Sequence, residues 1–135
     1  MENQKVRRAY RQGELLFIPL NQEDMERLNP NSQGKFPSLW KKLDSSILRE
    51  GEATGHKHQI IAKQAGMVSL LASAGRFISG LPGMAPIESE DRLLIVEEPI
   101  EVIHPEHRPL KLGKANFLVI VQREYDEVKA RRIMD

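Results

Sequence analysis

The sequence predicts a mainly β domain, either a small barrel or a sandwich of short antiparallel strands, with one or two short helices. Three β-branched apolar runs carry this prediction, at residues 92–96, 100–104 and 115–122. Each has the length of a strand and is too short for a typical helix. The segments between them are Glu98-Pro99, His107-Arg108-Pro109 and Gly113-Lys114. Strands separated by such short turns are typical of a small β architecture.

The N-terminal half begins with a strand and a short helix. Residues 13–20 form an apolar run between a glycine and a proline, and they predict the first strand. Asn21 and Asp24 have the spacing of an imperfect capping box, so a helix should begin there and end before Pro30. The segment 30–44 should leave the barrel, with one helical turn near residues 38–43. Its tryptophan, Trp40, is expected to be a packing anchor.

The middle of the chain is less uniform. Residues 46–62 favour strands around a Thr54-Gly55 break. Residues 66–75 could form a strand pair or a helix, and the bracketing glycines favour strand. Residues 77–87 are rich in glycine and proline, which indicates a lid or a wide connection. Residues 126–134 suggest a short terminal helix.

Bulk properties restrict the class of protein. A chain of 135 residues suits one domain, which we expect at residues 13–135 after a basic arm at residues 1–12. The 20 Lys and Arg against 19 Asp and Glu leave no strong basic excess. The absence of cysteine excludes disulfides and thiolate ligands. We expect a cytoplasmic protein without membrane contact, since no run has signal-peptide or membrane-spanning character; a homo-oligomer is possible.

The histidines are the most informative residues. All four lie in two short clusters, His56-Lys57-His58 and His104-Pro105-Glu106-His107. Residues two apart on a strand share a face, so His56 and His58 should project together. Pro105 should end the second strand, leaving Glu106 and His107 in a turn. If the fold joins the clusters, they form a metal or an acid-base centre. The alternative is that these histidines only cap turns.

Neutral imidazole suits Zn, Fe, Ni or Cu, and we expect a divalent ion, one of Zn, Fe, Ni or Mn. The metal ligands would be His56, His58, His104 and His107. A carboxylate could complete the site: Glu106 is nearest in sequence, Glu124 extends the last strand towards the barrel mouth, and Glu52 is a third candidate. Glu106, Glu124 and Arg123 are the candidate catalytic residues. For Glu124 the alternative is a surface ion pair with Arg123 or Lys129.

The His-x-His element after a glycine-containing turn, with another histidine on a strand some forty residues later, resembles the cupin metal site. The resemblance covers residues 51–104. It implies that His56, His58 and His104 are ligands inside a small barrel. Residues 59–64 lack the glutamate that this family carries there, and the glycine and proline spacing of the second cupin motif is unmatched.

The chain also resembles small uncharacterised prokaryotic proteins, in four runs: Arg11-Gln12-Gly13-Glu14, residues 50–56, residues 104–107, and Gln122-Arg123-Glu124-Tyr125. This resemblance implies no activity. Gly75 and Gly80 have phosphate-loop spacing, but Leu81-Pro82 stands where that motif needs Lys and Ser or Thr. Serine hydrolase and dinucleotide-binding motifs are also absent.

Three functions therefore compete. The first is a divalent metal site acting on a small molecule. The second is a metal-independent phosphodiesterase, with RNA as the expected substrate; histidines would be the acid and the base, and Arg123, Lys57 or Arg108 would stabilise the developing charge. The third is a non-enzymatic adaptor whose basic arm or Trp40-Lys41-Lys42 contacts RNA or a protein. The sequence does not decide whether the protein is an enzyme.

Overall fold

The computed structural model describes residues 8–28, 39–51, 54–75 and 78–122. These residues form ten strands, one α-helix and a 3₁₀ turn. The strands are β1 (Tyr10–Gln12), β2 (Leu15–Leu20), β3 (Trp40–Leu43), β4 (Ile47–Glu50), β5 (Lys57–Ile61), β6 (Val68–Ser73), β7 (Arg92–Val96), β8 (Ile100–His104), β9 (His107–Leu112) and β10 (Ala115–Val121). The helix α1 spans Gln22–Leu28, and the 3₁₀ turn spans Ala65–Met67.

The strands make two antiparallel sheets. The larger sheet has the order β1-β2-β10-β7-β6-β3, and the smaller has the order β4-β5-β8-β9. The chain crosses between the sheets after β3, β5, β7 and β9. The sheets are stacked and not closed into a barrel, so the sandwich alternative is the correct one. The mainly β prediction is confirmed.

Each face of the larger sheet is buried by a different partner. Its inner face, with residues such as Phe17 and Leu94, packs on the smaller sheet, which contributes residues such as Val102. Its outer face is covered by α1 and by the connection before β7, where Ile78 and Leu81 are buried. A strand buried on both faces reads as a continuous apolar run and not as an alternating one. This explains the unbroken apolar run of β10.

The helix begins where the sequence predicts. The Asn21 side chain accepts a hydrogen bond from the Asp24 backbone N–H at 2.8 Å, and the Asp24 carboxylate accepts one from the Asn21 N–H at 2.9 Å. This reciprocal pair satisfies two backbone donors at the helix start. Trp40 is buried, and its indole N–H donates to the Leu28 carbonyl at 2.7 Å. Trp40 is thus the expected packing anchor, attached to the last residue of α1.

Three local predictions need correction. The expected helical turn near residues 38–43 is wrong, because Trp40–Leu43 is strand β3, paired with β6. Residues 107–109 are not a turn: they begin β9, an edge strand where Pro109 lacks an N–H but costs little. The ambiguous segment 66–75 is mainly strand β6, preceded by the 3₁₀ turn.

Two expected features lie outside the described residues. These are the terminal helix at 126–134 and most of the basic arm, whose last residues, Tyr10–Gln12, form β1. Within residues 8–28, 39–51, 54–75 and 78–122, no helix has the length and apolarity to cross a membrane.

Candidate functional site

Three hairpin connections meet at one end of the sandwich. Gly13-Glu14 connects β1 to β2, residues 51–56 connect β4 to β5, and Pro105-Glu106 connects β8 to β9. Gln122, the residue after β10, lies beside them, because its N–H donates to the Glu14 carbonyl at 2.6 Å. Segments far apart in sequence therefore supply one site.

A β-bulge and a glutamine side chain fix the second histidine cluster. The register of β8 and β9 shifts between Val102 and His104, which interrupts the ladder at that point. The Gln12 side-chain NH₂ donates to the Val102 carbonyl at 2.8 Å and to the Arg108 carbonyl at 2.9 Å. Buried Gln12 thus satisfies backbone groups on both strands and ties the larger sheet to the smaller one.

The same glutamine determines the proton on His58. Because the Gln12 NH₂ makes both of its hydrogen bonds to carbonyls, its oxygen must be the atom that faces His58 Nδ1, at 2.9 Å. An amide oxygen only accepts, so Nδ1 carries a proton. The opposite nitrogen, Nε2, lies 2.7 Å from a Glu14 carboxylate oxygen. That contact also needs one proton, on His58 or on Glu14.

The surroundings of Glu14 place that proton on His58. Burial raises the pKa of Glu14, but its own backbone N–H, the hydrogen bond and charge of His58, and the charge of Arg49 together bring it below the ordinary value. Glu14 is therefore a carboxylate, and His58 is an imidazolium with no exposed surface. A buried charge of this kind persists only when it is paired and hydrogen-bonded.

Arg49 extends this network towards the surface. Its Nε donates to the second Glu14 oxygen at 3.1 Å, and its Nη1 donates to Glu90 at 2.7 Å. A register shift between Ile47 and Arg49 places Arg49 opposite His58 in the ladder of β4 and β5. A second bulge thus aims a charged side chain at the site. The resulting chain of contacts runs from Gln12 through His58 and Glu14 to Arg49 and Glu90.

The structure brings all four histidines together. The His104 ring centroid lies 4.3 Å from that of His58, 4.6 Å from that of His107 and 5.8 Å from that of His56. The rings of His58 and His107 are nearly parallel, with centroids 6.1 Å apart. His104 is therefore the centre of the cluster. His56 and His104 are half-buried, whereas His107 is exposed.

His104 has a lowered pKa and a defined tautomer. Burial lowers the pKa of His104, and charge on His58, His107 and His56 lowers it further, against the opposing effect of Glu14. The Glu106 backbone N–H donates to its Nδ1 at 3.1 Å. Nδ1 must then be unprotonated, so the neutral ring carries its proton on Nε2. His104 is thus a neutral hydrogen-bond donor beside a buried cation.

His56 has the opposite tautomer. Its Nδ1 lies 2.6 Å from a carboxylate oxygen of Glu106, which can only accept when ionised. Nδ1 therefore carries the proton, and in the neutral ring the Nε2 lone pair is free. A carboxylate that orients histidine in this way is the usual support for a histidine base or for a histidine metal ligand.

Gly13 makes the close packing of the cluster possible. Its φ is +58°, and a Cβ at this position would lie 2.6 Å from His107 Nε2 and 3.3 Å from His58 Cε1. A positive φ suits the first residue of a two-residue hairpin turn. Glycine is thus required twice, for the turn and for the approach of the two rings.

The metal hypothesis receives no direct support from this geometry. In the part of the chain that the structure describes, no three His, Asp or Glu side chains are arranged to hold one metal ion. Both His58 nitrogens are engaged by Gln12 and Glu14, and His104 Nδ1 accepts a backbone hydrogen bond.

The structure brings some of the candidate residues together and does not describe the others. His56, His58, His104, His107 and Glu106 lie together, whereas Glu124, Arg123 and Glu52 lie outside the described residues. Gln12, Glu14 and Arg49 were not predicted as site residues. One signal pointed to the first two: Arg11-Gln12-Gly13-Glu14 is among the runs shared with the small prokaryotic proteins that the chain resembles.

Comparison with known proteins gives a family without an assigned activity. No curated protein and no solved structure matches the chain. The antiparallel architecture is compatible with a cupin-like fold. A family model described as a domain of unknown function, DUF8820, matches residues 11–122, which include every site residue described above. The chain therefore belongs to the DUF8820 family.

Proposed function

We propose that the histidine cluster is a metal-independent acid-base centre that cleaves an RNA phosphodiester. The observation that carries the proposal is a pair of hydrogen bonds that favours opposite tautomers in the neutral rings, with Nε2 unprotonated on His56 and protonated on His104; the two ring centroids lie 5.8 Å apart. One histidine is prepared to take a proton, and its neighbour is prepared to donate a hydrogen bond. Acid-base chemistry needs both functions in one place.

The proposed reaction is an internal transesterification. His56 Nε2 removes the proton from the ribose 2′-hydroxyl, whose oxygen forms a bond to phosphorus. The bond from phosphorus to the 5′ oxygen breaks, and His107 in its protonated form delivers a proton to that oxygen. The His104 Nε2–H stabilises the charge that develops on a non-bridging oxygen. The products are a 2′,3′-cyclic phosphate and a 5′-hydroxyl.

His58 and Glu14 have a supporting role in this proposal. His58 has no exposed surface and cannot reach a substrate. Its charge helps to keep the pKa of His104 low, so that His104 is a neutral donor at physiological pH. Neutral imidazole donors beside a separate base are an established way to stabilise a developing oxyanion.

The choice of a phosphodiester rests on local charge. Arg11, Lys57 and Arg108 are exposed, and each adjoins a site residue in sequence. Cations around an acid-base centre attract a polyanion and favour its approach.

A cupin-like metal site acting on a small molecule is the second candidate. The contact between His56 Nδ1 and Glu106 favours it, because carboxylates commonly orient histidines that bind metal through the other nitrogen. Zn, Fe, Ni and Mn are the candidate ions. In this case His56 would be a ligand, and His104 and His107 would have to rotate to share the ion.

The proposal is tested with a short RNA and its 2′-deoxy counterpart in the presence of a chelator. RNA cleavage to a 2′,3′-cyclic phosphate is expected, and the deoxy strand should remain intact. His56→Gln and His104→Gln should each lower the rate by about 10²-fold or more. Glu106→Gln should lower it less, and the matched control Glu98→Gln, on an exposed turn, should not change it.

The results also separate the two candidates. Cleavage that survives the chelator with a bell-shaped pH dependence supports the acid-base centre. Stoichiometric metal in protein purified without a histidine tag, lost in His56→Gln, would replace this proposal with the metal site. Cleavage of both strands, or equal activity in the histidine variants, would overturn the proposal.

A further inference from the structure

The outer face of the smaller sheet carries apolar side chains that are open to solvent in the part of the chain that the structure describes. Ile61 on β5 is 46% exposed, and Ile103 on β8 is 37% exposed. Since Gln59 is the ladder partner of Ile103 and Glu101 is that of Ile61, the two isoleucines share a face and are diagonal neighbours. The helix and the connection at 78–87 cover the larger sheet instead.

This patch concentrates the exposed apolar surface of the molecule. The described residues have three exposed large hydrophobic side chains, and two of them, Ile61 and Ile103, lie together here. The partly buried Ile47 extends the patch, because it is the partner of Gln59 in the ladder of β4 and β5. An antiparallel sheet with one face in water normally carries polar residues on that face. Contiguous apolar side chains there are typical of an interaction surface.

A recess beside the patch matches the patch in shape. It has a volume of about 400 Å³ and lies at the ends of β5, β8 and β9 that are remote from the histidines. Pro99 and Leu112 are among its lining residues, and Glu101 borders it. Ile103 stands two residues further along β8 than Glu101. A projecting apolar side chain and a hollow therefore lie next to each other on the same face.

The charges beside the patch favour a partner that carries both signs. Glu101 lies opposite Lys111 in the ladder of β8 and β9, so the two side chains are neighbours on the outer face. A purely anionic partner would meet the carboxylate, and a purely cationic one would meet the lysine. A second copy of the chain presents both groups, and it pairs each with its opposite.

We infer that the protein forms a two-fold symmetric dimer in which the outer faces of the two smaller sheets pack together. A two-fold axis that crosses β8 near Glu101, at right angles to the strand, places Ile103 of each copy over the recess of the other. The same axis crosses β5 near Ile61, so the two copies of Ile61 meet. Lys111 of each copy reaches Glu101 of the other, since both lie beside the axis. Each contact between unlike residues thus occurs twice.

The size of the face determines the strength of the dimer. Four strands about 4.8 Å apart, with a rise of about 3.4 Å per residue, give a face roughly 15–20 Å on each side. This footprint is smaller than the interface of a permanent dimer, so the association should be weak and should depend on concentration. The histidines lie at the other end of these strands. The dimer is therefore independent of the function proposed for them, and either can fail alone.

The first test is sedimentation velocity of the whole chain from about 10 μM to about 1 mM. The dimer fraction should rise over this range. Ile103→Thr and Ile61→Thr keep a β-branched residue on the strand, and each should weaken the dimer by about tenfold. The matched control is Tyr10→Thr, which removes the third exposed large hydrophobic side chain, on β1 of the larger sheet. It should associate as the unmodified protein does.

Charge reversal tests the contact between copies directly. Glu101→Lys and Lys111→Glu should each weaken the dimer, because each places like charges across the axis. An equimolar mixture of the two variants should restore it, since every contact between their positions 101 and 111 then joins opposite charges. The pair within each chain stays like-charged, so restoration reports the other copy. A protein that stays monomeric, a dimer that survives both threonine variants, or a mixture that associates no better than its components would overturn the inference.

Discussion

His58 is the residue on which the site depends. It has no exposed surface, and both of its nitrogens are hydrogen-bonded, to Gln12 and Glu14. A histidine with this pair of acceptors is doubly protonated, and it needs Glu14 as its counter-charge. The buried position of His58 thus supports the fold, while its charge lowers the pKa of His104.

Replacing His58 should destabilise the protein more than replacing any exposed histidine. His58→Ala leaves a cavity, an unpaired Gln12 oxygen and a Glu14 carboxylate without its main partner. We expect a loss of about 2–4 kcal/mol in the free energy of unfolding, measured with urea. The control His107→Ala should cost less than about 1 kcal/mol, because His107 is exposed. Equal losses in the two variants would contradict the assigned role of His58.

Asp91 should make stability depend on pH. Its pKa is raised from 3.8 to about 6: burial raises it most and the charges of Glu88 and Glu90 also raise it, against the hydrogen bond from the Glu88 backbone N–H and the charge of Arg92. A carboxyl with a raised pKa in the folded state loses stability as pH rises from about 4 to about 6. Above that range the ionised group costs on the order of 2–3 kcal/mol.

Asp91→Asn should therefore stabilise the protein at neutral pH. The amide oxygen can still accept from the Glu88 N–H, which contacts Asp91 at 2.9 Å. The gain should shrink as pH falls and vanish near the ordinary pKa of Asp, as followed by urea unfolding across pH. Asp44→Asn, at an exposed position, is the control and should show little change. A gain independent of pH would show that ionisation of Asp91 is not its source.

At the scale of elements, turns and bulges do most to build the site. The β1–β2 turn supplies Glu14, and the two register shifts direct Arg49 and the pair His104 and His107. Bulges bend a strand and re-aim its side chains, and they are frequent beside active sites. The straight parts of the strands supply the apolar core between these irregularities.

Gly13→Ala tests the turn directly. The added Cβ would press on His107 Nε2 and strain a positive φ, so we expect displaced His107 and His58 signals in NMR spectra and a loss of about 1–2 kcal/mol in stability. Gly83→Ala is the matched control, because Gly83 has a φ of +82° with no atom within 4 Å of an added Cβ. Gly83→Ala should lose stability through backbone strain and leave the histidine signals unmoved. Unmoved histidine signals in Gly13→Ala would contradict the proposed packing.

For the whole molecule, the sequence predicts local structure better than contacts between distant segments. The strands β7, β8 and β10 and the start of α1 follow from apolar runs and a capping pair. The sequence analysis missed β9 because Pro109 argues against a strand unless an edge position is known. It missed β3 because Trp40–Leu43 shows no alternation that separates a short strand from a helical turn.

For the candidate site, too, the local features were predictable and the contacts between distant segments were not. The clustering of histidines in the sequence was enough to predict that they share a place. The roles of Gln12 and Glu14 were not predictable, since Gln12 reaches His58 across 46 positions in the chain and only after the two sheets stack. The tautomers likewise depend on backbone donors and carboxylates that the fold brings to each ring.

The protonation of the histidines is the most direct test of the metal-independent acid-base centre. Imidazole nitrogen NMR at neutral pH, on metal-free protein, should show His58 protonated on both nitrogens, His104 on Nε2 and His56 on Nδ1. These states should persist when one equivalent of Zn²⁺ is added. A bare nitrogen on His58, the opposite tautomer on His104, or the shift of several imidazoles onto bound zinc would contradict the account.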